Sequence, residues 1–286
     1  MHKRCLDSLA SLDYPRERYE TIVVDDGSTK SPAQIVGHFS ESMRVKLLTI
    51  PHAGPAAARN AGVLKAAGDN FAFIDDDCTA SPKWLDAMSA RLDAHRGSVI
   101  GGRVYNALPH NMYSRTSQGL QEYLYHWYHE EKRGELRFFT TNNLTVSRRT
   151  FEAIGCFDAS FPFASEDRDW CDRALHAGFD LVYAKEAVVR HAHDLSLGTF
   201  LMQHYRYGQG ALRFHSARAA RRGGRVKLES ASFYGGMVSA PFVMRQSSAL
   251  RESLLLLASQ SASLAGFARE LARRWPRGSS VVTSGT

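Results

Sequence analysis

The chain has 286 residues, of which 44% are hydrophobic, and its 36 lysines and arginines exceed its 29 acidic residues, for a formal net charge of +7. This composition excludes a disordered chain, because enough apolar residues are present to bury a sizeable core. Four widely spaced cysteines, without a C-x-x-C pair, exclude a disulfide-rich scaffold and fit a reducing compartment.

Strand and helix patterns alternate along the first hundred residues. The start, MHKRCLDSLASL, lacks the apolar run of a secretory signal, and we therefore expect a cytoplasmic protein. The predicted elements are strands at 19–24, 45–50, 71–74 and 98–105, a helix PAAARNAGVLKAAG that ends at Gly68, and a helix over Pro82–His95 with Ser81 as its N-cap. Strands separated by helices predict a mainly parallel sheet with helices packed on it.

Acidic residues follow two of these strands. Asp25 and Asp26 lie in VVDDGST, and Asp75, Asp76 and Asp77 lie in FAFIDDDC. Sheets of this kind bind ligands outside the carboxyl ends of their strands, although DDGS alone is also a typical turn. Three adjacent carboxylates repel one another, and their hard oxygens favour Mg²⁺ or Mn²⁺ over zinc. Since magnesium also takes substrate phosphate oxygens, a phosphate-bearing substrate is expected, but no P-loop sequence is present.

Three sequence blocks follow one another in a recognisable order: YETIVVDDGST, then HAGPAAARNAGVLKAAGDNFAFIDDDC, then TTNNLTVSRRTFEAIGCFDASFPFASEDRDWCDRALHAGF. They resemble the successive signatures of family 2 glycosyltransferases with the GT-A fold. The resemblance implies an α/β, Rossmann-like domain over residues 1–195 whose mixed, mainly parallel sheet is flanked by helices. Residues 196–286 then form a basic, helical C-terminal extension. The implied reaction is transfer of a sugar from a nucleoside diphosphate to a hydroxyl, with inversion.

The resemblance assigns several residues to the nucleotide part of the donor. Asp25 and Asp26 match acids that contact the base and ribose. Arg59 matches a position near the nucleotide, where an arginine either holds phosphate or shapes the acidic pocket. Asp75, the first acid of the family's D-x-D motif, is expected beside the ribose, and Asp76 is grouped with it as the least committed of the three acids.

Metal binding and proton transfer are assigned in the same way. Asp77, the last acid of the D-x-D motif, is expected to bind Mg²⁺ or Mn²⁺. His191 follows the predicted strand AVVR and is a candidate further ligand, although a histidine at a strand end is more often structural. Asp167 aligns with the catalytic base. The alternative for Glu166 and Asp167 is stabilisation of a helix N-terminus.

Four residues are candidates for contact with the acceptor or donor sugar: Asn142, Asn143, Glu166 and Trp170. Asn142 and Asn143 could instead stabilise a turn, and Trp170 could instead pack in the core.

One departure from the family pattern bears on activity. Family members begin with a strand before the helix that here reads RCLDSLASL, and this sequence starts inside that helix. A gap in the sheet and an unpaired edge on the neighbouring strand are therefore expected. Either the sequence is shortened, or the protein is a relative with impaired donor binding. Two alternatives to an active glycosyltransferase are a catalytically impaired relative that binds nucleotide-sugar or glycan, and a nucleotidyltransferase, whose glycine-rich phosphate loop is not visible.

The last third of the chain carries two basic clusters, Arg213, Arg218, Arg221, Arg222, Arg225 and Lys227, and then Arg269, Arg273, Arg274 and Arg277. These clusters could bind anionic lipid or a phosphorylated substrate, or they could simply form a solvated face. The lack of interleaved aromatic residues argues against nucleic acid as the partner. The apolar segments 231–244 and 253–268 are too short to span a bilayer, and the second reads either as an interfacial helix or as a packed amphipathic helix. We expect a glycan or lipid-linked acceptor and peripheral contact with the inner face of the cell membrane.

Overall fold

The computed structural model describes residues 3–131, 136–161, 163–224, 229–244 and 248–274. The strands within these ranges are β1 (Thr21–Asp26), β2 (Val45–Ile50), β3 (Asn70–Phe73), β4 (Cys78–Ala80), β5 (Val99–Asn106), β6 (Leu144–Ser147) and β7 (Leu181–His191). The α-helices are α1 (Lys3–Ala10), α2 (Ala33–Gly37), α3 (Pro55–Lys65), α4 (Trp84–Ala94), α5 (Met112–Tyr125), α6 (Arg148–Ile154), α7 (Glu166–His176), α8 (Leu197–Arg222), α9 (Ala231–Val243) and α10 (Ala249–Arg274).

The strands form two sheets. Strands β1 and β2 pair in parallel, and the larger sheet has the order β3-β6-β5-β7-β4. In the larger sheet β5 and β7 are parallel, whereas β3 with β6, β5 with β6, and β4 with β7 are antiparallel. The α/β class, the mixed sheet and the C-terminal helices are as predicted, but the share of parallel pairing is smaller than expected. Strand β6 reverses direction between two others, which the strand-helix alternation of the first hundred residues does not indicate.

A cavity of about 1030 Å³ lies between the two sheets. Residues of β1 and of β3 both line it, together with apolar side chains such as Leu6, Leu9 and Trp84. Among the described strands, β1 pairs only with β2 and β3 only with β6, so each has an unpaired edge. The expected gap in the sheet is therefore confirmed.

Trp170 lies in the aromatic core and not at a binding surface. Its ring is fully buried, with centroids 5.5 Å from Phe151 and 5.3 Å from Phe157. Its indole N–H donates to the carbonyl oxygen of Gly155 at 2.8 Å. The expectation of a sugar contact by Trp170 is wrong, because the indole has no face or polar atom left for a ligand.

Asn143 also has a packing role. Its buried side chain donates to the carbonyl oxygens of Arg103 and Ala187 at 2.9 and 3.0 Å and accepts from Trp84 Nε1 at 2.8 Å. Gly102 makes room for this amide, since a Cβ at that position would lie 2.3 Å from Asn143 Nδ2. Asn143 thus joins β5, β7 and α4, and the expected sugar contact is corrected to a structural one.

Helix α4 begins two residues later than predicted. Lys83 occupies the N-cap position and makes no side-chain capping bond. The backbone carbonyl of Ser81 accepts the Trp84 N–H at 2.9 Å, so Ser81 belongs to the preceding turn and is not the N-cap.

Most of the first basic cluster is used internally. The guanidinium groups of Arg218, Arg221 and Arg222 all reach the buried carboxylate of Asp172, at 3.0, 2.8 and 3.0 Å. Arg213 pairs with Glu270 on α10 at 3.0 Å. These arginines attach α8 to α7 and α10, and so they do not form a free solvated face. Arg225, Lys227 and Arg277 lie outside the described residues.

Helices α8 and α10 pack closely at two glycines. A Cβ on Gly208 would lie 1.8 Å from the carbonyl oxygen of Ser263, and one on Gly266 would lie 1.9 Å from that of Tyr205. The helix backbones touch at these points. None of the described helices is long and apolar enough to cross a membrane. The division into domains at residue 195, between β7 and α8, stays a prediction.

We expect Gly208→Ala to lower the free energy of unfolding by about 1–3 kcal/mol, because the added methyl group forces the two helices apart. Gly119→Ala is the matched control, since a Cβ on this glycine inside α5 would meet no other atom within 4 Å. The control should be neutral or stabilising by up to roughly 1 kcal/mol. Urea unfolding followed by circular dichroism checks both; equal midpoints for the two variants would contradict the close packing.

Candidate active site

Arg59 connects two acidic motifs that are far apart in the sequence. Its Nη2 donates to Asp75 Oδ1 at 3.0 Å, and its Nη1 donates to Glu166 Oε1 at 2.8 Å. Arg59 comes from α3, Asp75 follows β3, and Glu166 begins α7. The guanidinium therefore holds the end of β3 against the start of α7. Of the two roles open to Arg59, the structure shows the one that shapes the acidic pocket.

We expect Arg59→Met to lower the free energy of unfolding by about 3–5 kcal/mol, because it leaves the buried Glu166 carboxylate without a cation. Lys3→Met is the control: it removes the partner of Asp7 in a pair whose two side chains are both exposed, and it should cost at most about 1 kcal/mol. Chemical denaturation measures both variants. A loss at Arg59 no larger than that at Lys3 would contradict the connecting role.

The start of α7 has unusual backbone geometry. Ser165, just before the helix, has φ 77°, and it is the one non-glycine with positive φ within the described ranges. Such strained positions cluster at functional sites. Helix α8 packs directly beneath it, because a Cβ on Gly210 would lie 2.5 Å from the carbonyl oxygen of Ala164. Nothing in the sequence around Ser165 marks this conformation.

Two carboxylates project from this strained start. Burial and the neighbouring Glu166 charge raise the pKa of Asp167 to about 7. The second oxygen of Glu166, Oε2, is buried and has no hydrogen-bond partner among the described residues. A buried, unpartnered carboxylate oxygen is costly unless a ligand hydroxyl or amine reaches it. Asp167 can therefore accept a proton near neutral pH, and Glu166 Oε2 can accept a hydrogen bond.

Asp77 and His191 form a second cluster. Strand β4 pairs with β7 so that Cys78 lies opposite His191, and this register brings Asp77 Oδ2 to 3.1 Å from His191 Nε2. Burial opposes ionisation of Asp77, but its hydrogen bonds to His191 and Cys78, together with the charges of His191 and His193, outweigh burial and lower its pKa. The ligand atoms of Asp77, Cys78 and His191 all lie within 4.8 Å of one another.

The donor atoms of this cluster fit a divalent ion. A carboxylate oxygen and an imidazole nitrogen are suitable ligands for Mn²⁺ and similar ions. Burial raises the pKa of the Cys78 thiol far above its usual value, so the thiol stays protonated and is a poor ligand. Asp77 and His191 are thus the two side chains that would hold the metal.

Strand β1 lies two residues later than predicted, so that Asp25 and Asp26 are its last two residues and make local hydrogen bonds. Asp25 Oδ1 accepts the Ser28 N–H at 2.9 Å, which is the turn given above as the alternative. Asp26 accepts the N–H groups of Ala53 and Gly54 at 2.7 and 2.9 Å and so holds the loop before α3. Contact of either acid with a nucleotide stays a prediction.

Four of the residues predicted to bind the nucleotide line the cavity between the sheets: Asp25, Arg59, Asp75 and Asp76. Asn142 is buried in the turn before β6, where it accepts a hydrogen bond from the hydroxyl of Thr140 at 2.7 Å. Its predicted sugar contact has no support in this position. The structure thus brings together Asp75, Arg59 and the start of α7. Asn142, Asn143 and Trp170 are instead buried against partners of their own.

The family model for glycosyl transferase family 2 matches residues 3–160 of the chain. The chain belongs to glycosyl transferase family 2. A curated relative, glycosyltransferase AglE of Haloferax volcanii, is 27% identical over 213 residues, which cover 73% of this chain and 68% of AglE. The pre-mycofactocin glycosyltransferase of Mycobacterium tuberculosis is 26% identical over 66% of this chain and 41% of its own length. This family 2 chain is therefore a glycosyltransferase, as the sequence blocks predicted.

Solved structures show the same fold. The mannosyltransferase PcManGT from Pyrobaculum calidifontis, in complex with GDP-Man and Mn²⁺, superposes with a TM-score of 0.58 at 18% identity, over 94% of this chain and 74% of that one. Staphylococcus aureus TarS superposes with a TM-score of 0.51 at 15% identity, over 92% of this chain and 51% of TarS. The family 2 chain thus has the predicted GT-A fold, although it spans only part of several relatives.

Proposed function

We propose that this protein is an inverting, metal-dependent glycosyltransferase that moves a sugar from a nucleoside-diphosphate donor to a hydroxyl of a glycan or lipid-linked acceptor. The observation that carries the proposal is the pair of hydrogen bonds from Arg59 to Asp75 and Glu166, which unites the D-x-D segment with the acidic start of α7. The complex of PcManGT with GDP-Man and Mn²⁺ supports the donor class and the metal.

The donor would bind along the carboxyl ends of β1 and β3. Asp25, Arg59, Asp75 and Asp76 line one cavity there, with acceptors for ribose and base and a cation beside them. Asp77 and His191 would hold Mg²⁺ or Mn²⁺. The bound ion supplies positive charge that stabilises the departing diphosphate.

Asp167 is the general base of the proposed reaction. The acceptor oxygen forms the new bond to the anomeric carbon, the bond from that carbon to the diphosphate breaks, and the acceptor proton passes to the Asp167 carboxylate. A base with a pKa near the working pH suits this transfer, and the pKa of about 7 meets that condition. Glu166 Oε2, which is buried without a hydrogen-bond partner among the described residues, would accept a hydrogen bond from a sugar hydroxyl that displaces its present surroundings.

One observation favours a second candidate. Among the described strands, β1, which carries Asp25, has an unpaired edge beside the cavity, and donor positioning there would be weaker than in a continuous sheet. The alternative is a nucleotide-sugar or glycan-binding protein with impaired catalysis.

Hydrolysis and transfer with a panel of UDP-, dTDP- and GDP-sugars tests the proposal. We expect turnover with at least one donor, lost in Asp77→Asn and Asp167→Asn and kept in Asp86→Asn, an exposed carboxylate on α4. Donor binding without turnover in the wild-type protein would contradict the enzyme and support the alternative. Unchanged turnover in either site variant would remove the role given to that residue.

A further inference from the structure

Helix α10 turns a row of leucines outward. Leu250, Leu254, Leu257, Leu264 and Leu271 are 65, 57, 49, 70 and 46% exposed. At 3.6 residues per turn, these positions fall within an arc of about 100° on one side of the helix. We call this surface the leucine face. Residues 261 and 268 on the same arc are serine and alanine, so the face carries no charge along its centre.

The buried side of α10 carries both acids of the helix, together with Leu256 and Gly266. Glu252 pairs with Arg115 of α5 at 2.7 Å, and Glu270 pairs with Arg213 of α8 at 3.0 Å. Ser253, at the edge of the leucine face, donates to the carbonyl oxygen of Val238 in α9 at 2.7 Å. The helix thus exposes most of its leucines and buries both of its acids, whereas an ordinary surface helix buries its apolar stripe and exposes its charged residues.

The contacts of α10 fix this orientation. Rotation that hid the leucines would break the close packing at Gly208 and Gly266 and would pull two buried carboxylates away from their arginines. Losing the partner of a buried charge is strongly unfavourable. The exposure of the leucine face is therefore a stable property of the fold.

The exposed charges of α10 are all positive. Arg251, Arg269, Arg273 and Arg274 are exposed, whereas both acids of the helix, Glu252 and Glu270, are buried. One carboxylate, Glu270, faces Arg213, Arg273 and Arg274 together, which leaves an excess of positive charge at this end. A second copy of the chain placed on this surface would bring arginines against arginines, so self-association is disfavoured.

We propose that the leucine face of α10 binds an anionic lipid surface, with the helix lying in the plane of the headgroups. Leucines entering the acyl boundary and arginines reaching lipid phosphates are the two interactions that such interfacial helices combine. The inference rests on the proposed function only where it places the active site beside lipid-linked acceptors. Lipid binding itself is measured without any turnover.

Sedimentation with vesicles tests the inference on the whole chain. We expect binding to phosphatidylcholine vesicles that contain about 30% phosphatidylglycerol, weaker binding to pure phosphatidylcholine, and a decrease with added salt. The double variant Leu257→Glu with Leu264→Glu should bind at least about tenfold more weakly, because it places carboxylates in the acyl boundary. Leu64→Glu, at a leucine of α3 that is 78% exposed, is the matched control and should bind like the wild type.

Wild-type protein that stays in the supernatant, or a double variant that sediments like the wild type, would overturn the inference. A wild type that is dimeric by light scattering, fails to bind vesicles and becomes monomeric in the double variant would overturn it in favour of self-association. Donor hydrolysis is measured on the same samples: vesicle binding without hydrolysis counts against the proposed enzyme and leaves the lipid-binding surface supported.

Discussion

Replacing Asp167 by Asn is expected to lower turnover by about 10²- to 10⁴-fold while changing the dissociation constant of the donor by less than about twofold. The amide keeps the shape of the side chain but cannot take the acceptor proton. Steady-state kinetics give the turnover, and calorimetry gives the donor affinity. A variant that loses donor affinity in proportion to turnover would contradict the role of Asp167 as base.

The pH dependence of the wild type follows from the same residue. Only the ionised carboxylate accepts a proton, so turnover should rise with pH through the Asp167 pKa of about 7. Stability should change in the opposite direction. The folded protein holds the Asp167 proton more tightly than the unfolded chain does, so stability is full below the unfolded pKa of roughly 4 and is lost as pH rises through the folded pKa.

Because turnover and stability are expected to change in opposite directions with pH, the stability of the Asp167→Asn variant shows whether a loss of activity is due to unfolding. Asp167→Asn removes the cost of ionising a half-buried carboxyl beside Glu166, and so the variant should be more stable than the wild type above neutral pH, by roughly 1–4 kcal/mol, and nearly equal near pH 4. A variant that is inactive and also less stable at high pH would point to damage of the fold in place of loss of the base.

Asp77→Asn is expected to reduce metal-stimulated turnover by about 10²- to 10³-fold, since Asp77 is the ionised oxygen ligand in the cluster with His191. Chelator treatment of the wild type should have a similar effect, and added Mn²⁺ should restore activity. The measurement is turnover against Mn²⁺ concentration, with the paramagnetic resonance of free Mn²⁺ as an independent reading of binding.

Cys78→Ala tests whether the thiol of this cluster takes part in metal binding beside Asp77 and His191. Its buried thiol stays protonated, so the substitution should leave the Mn²⁺ dependence unchanged although it removes a core side chain. Full turnover of chelator-treated wild type, or loss of Mn²⁺ binding in Cys78→Ala with normal binding in Asp77→Asn, would contradict the assignment.

Short-range sequence patterns predicted the elements that carry the site. Strand β2 spans the predicted residues 45–50, and β3 lies within one residue of the prediction at each end. Strand β1 is displaced by two residues and ends with Asp25 and Asp26, whereas the three acids of FAFIDDDC follow β3 as predicted. Such patterns are readable because the alternation of apolar residues and the breaks after them are local properties of the chain. Among the described strands, β1 pairs only with β2, which agrees with the gap expected beside it.

Contacts between distant residues could not be read in the same way. The bond from Arg59 to Glu166 joins positions 107 residues apart, and no local pattern indicates it. Trp170 and Asn143 were candidates for sugar contact because their types bind sugars, but neighbours from other elements bury them. The sequence of α10 shows its leucine row, yet only the arginines of α5 and α8 that hold its glutamates decide that this row faces outward.

Calorimetric titration of the folded chain with UDP- and GDP-sugars, with and without Mn²⁺, tests the central claim most directly. We expect donor binding that requires Mn²⁺, is abolished in Asp77→Asn and is preserved in Asp167→Asn. Binding of equal strength without the ion, or no binding of any sugar nucleotide in its presence, would contradict it.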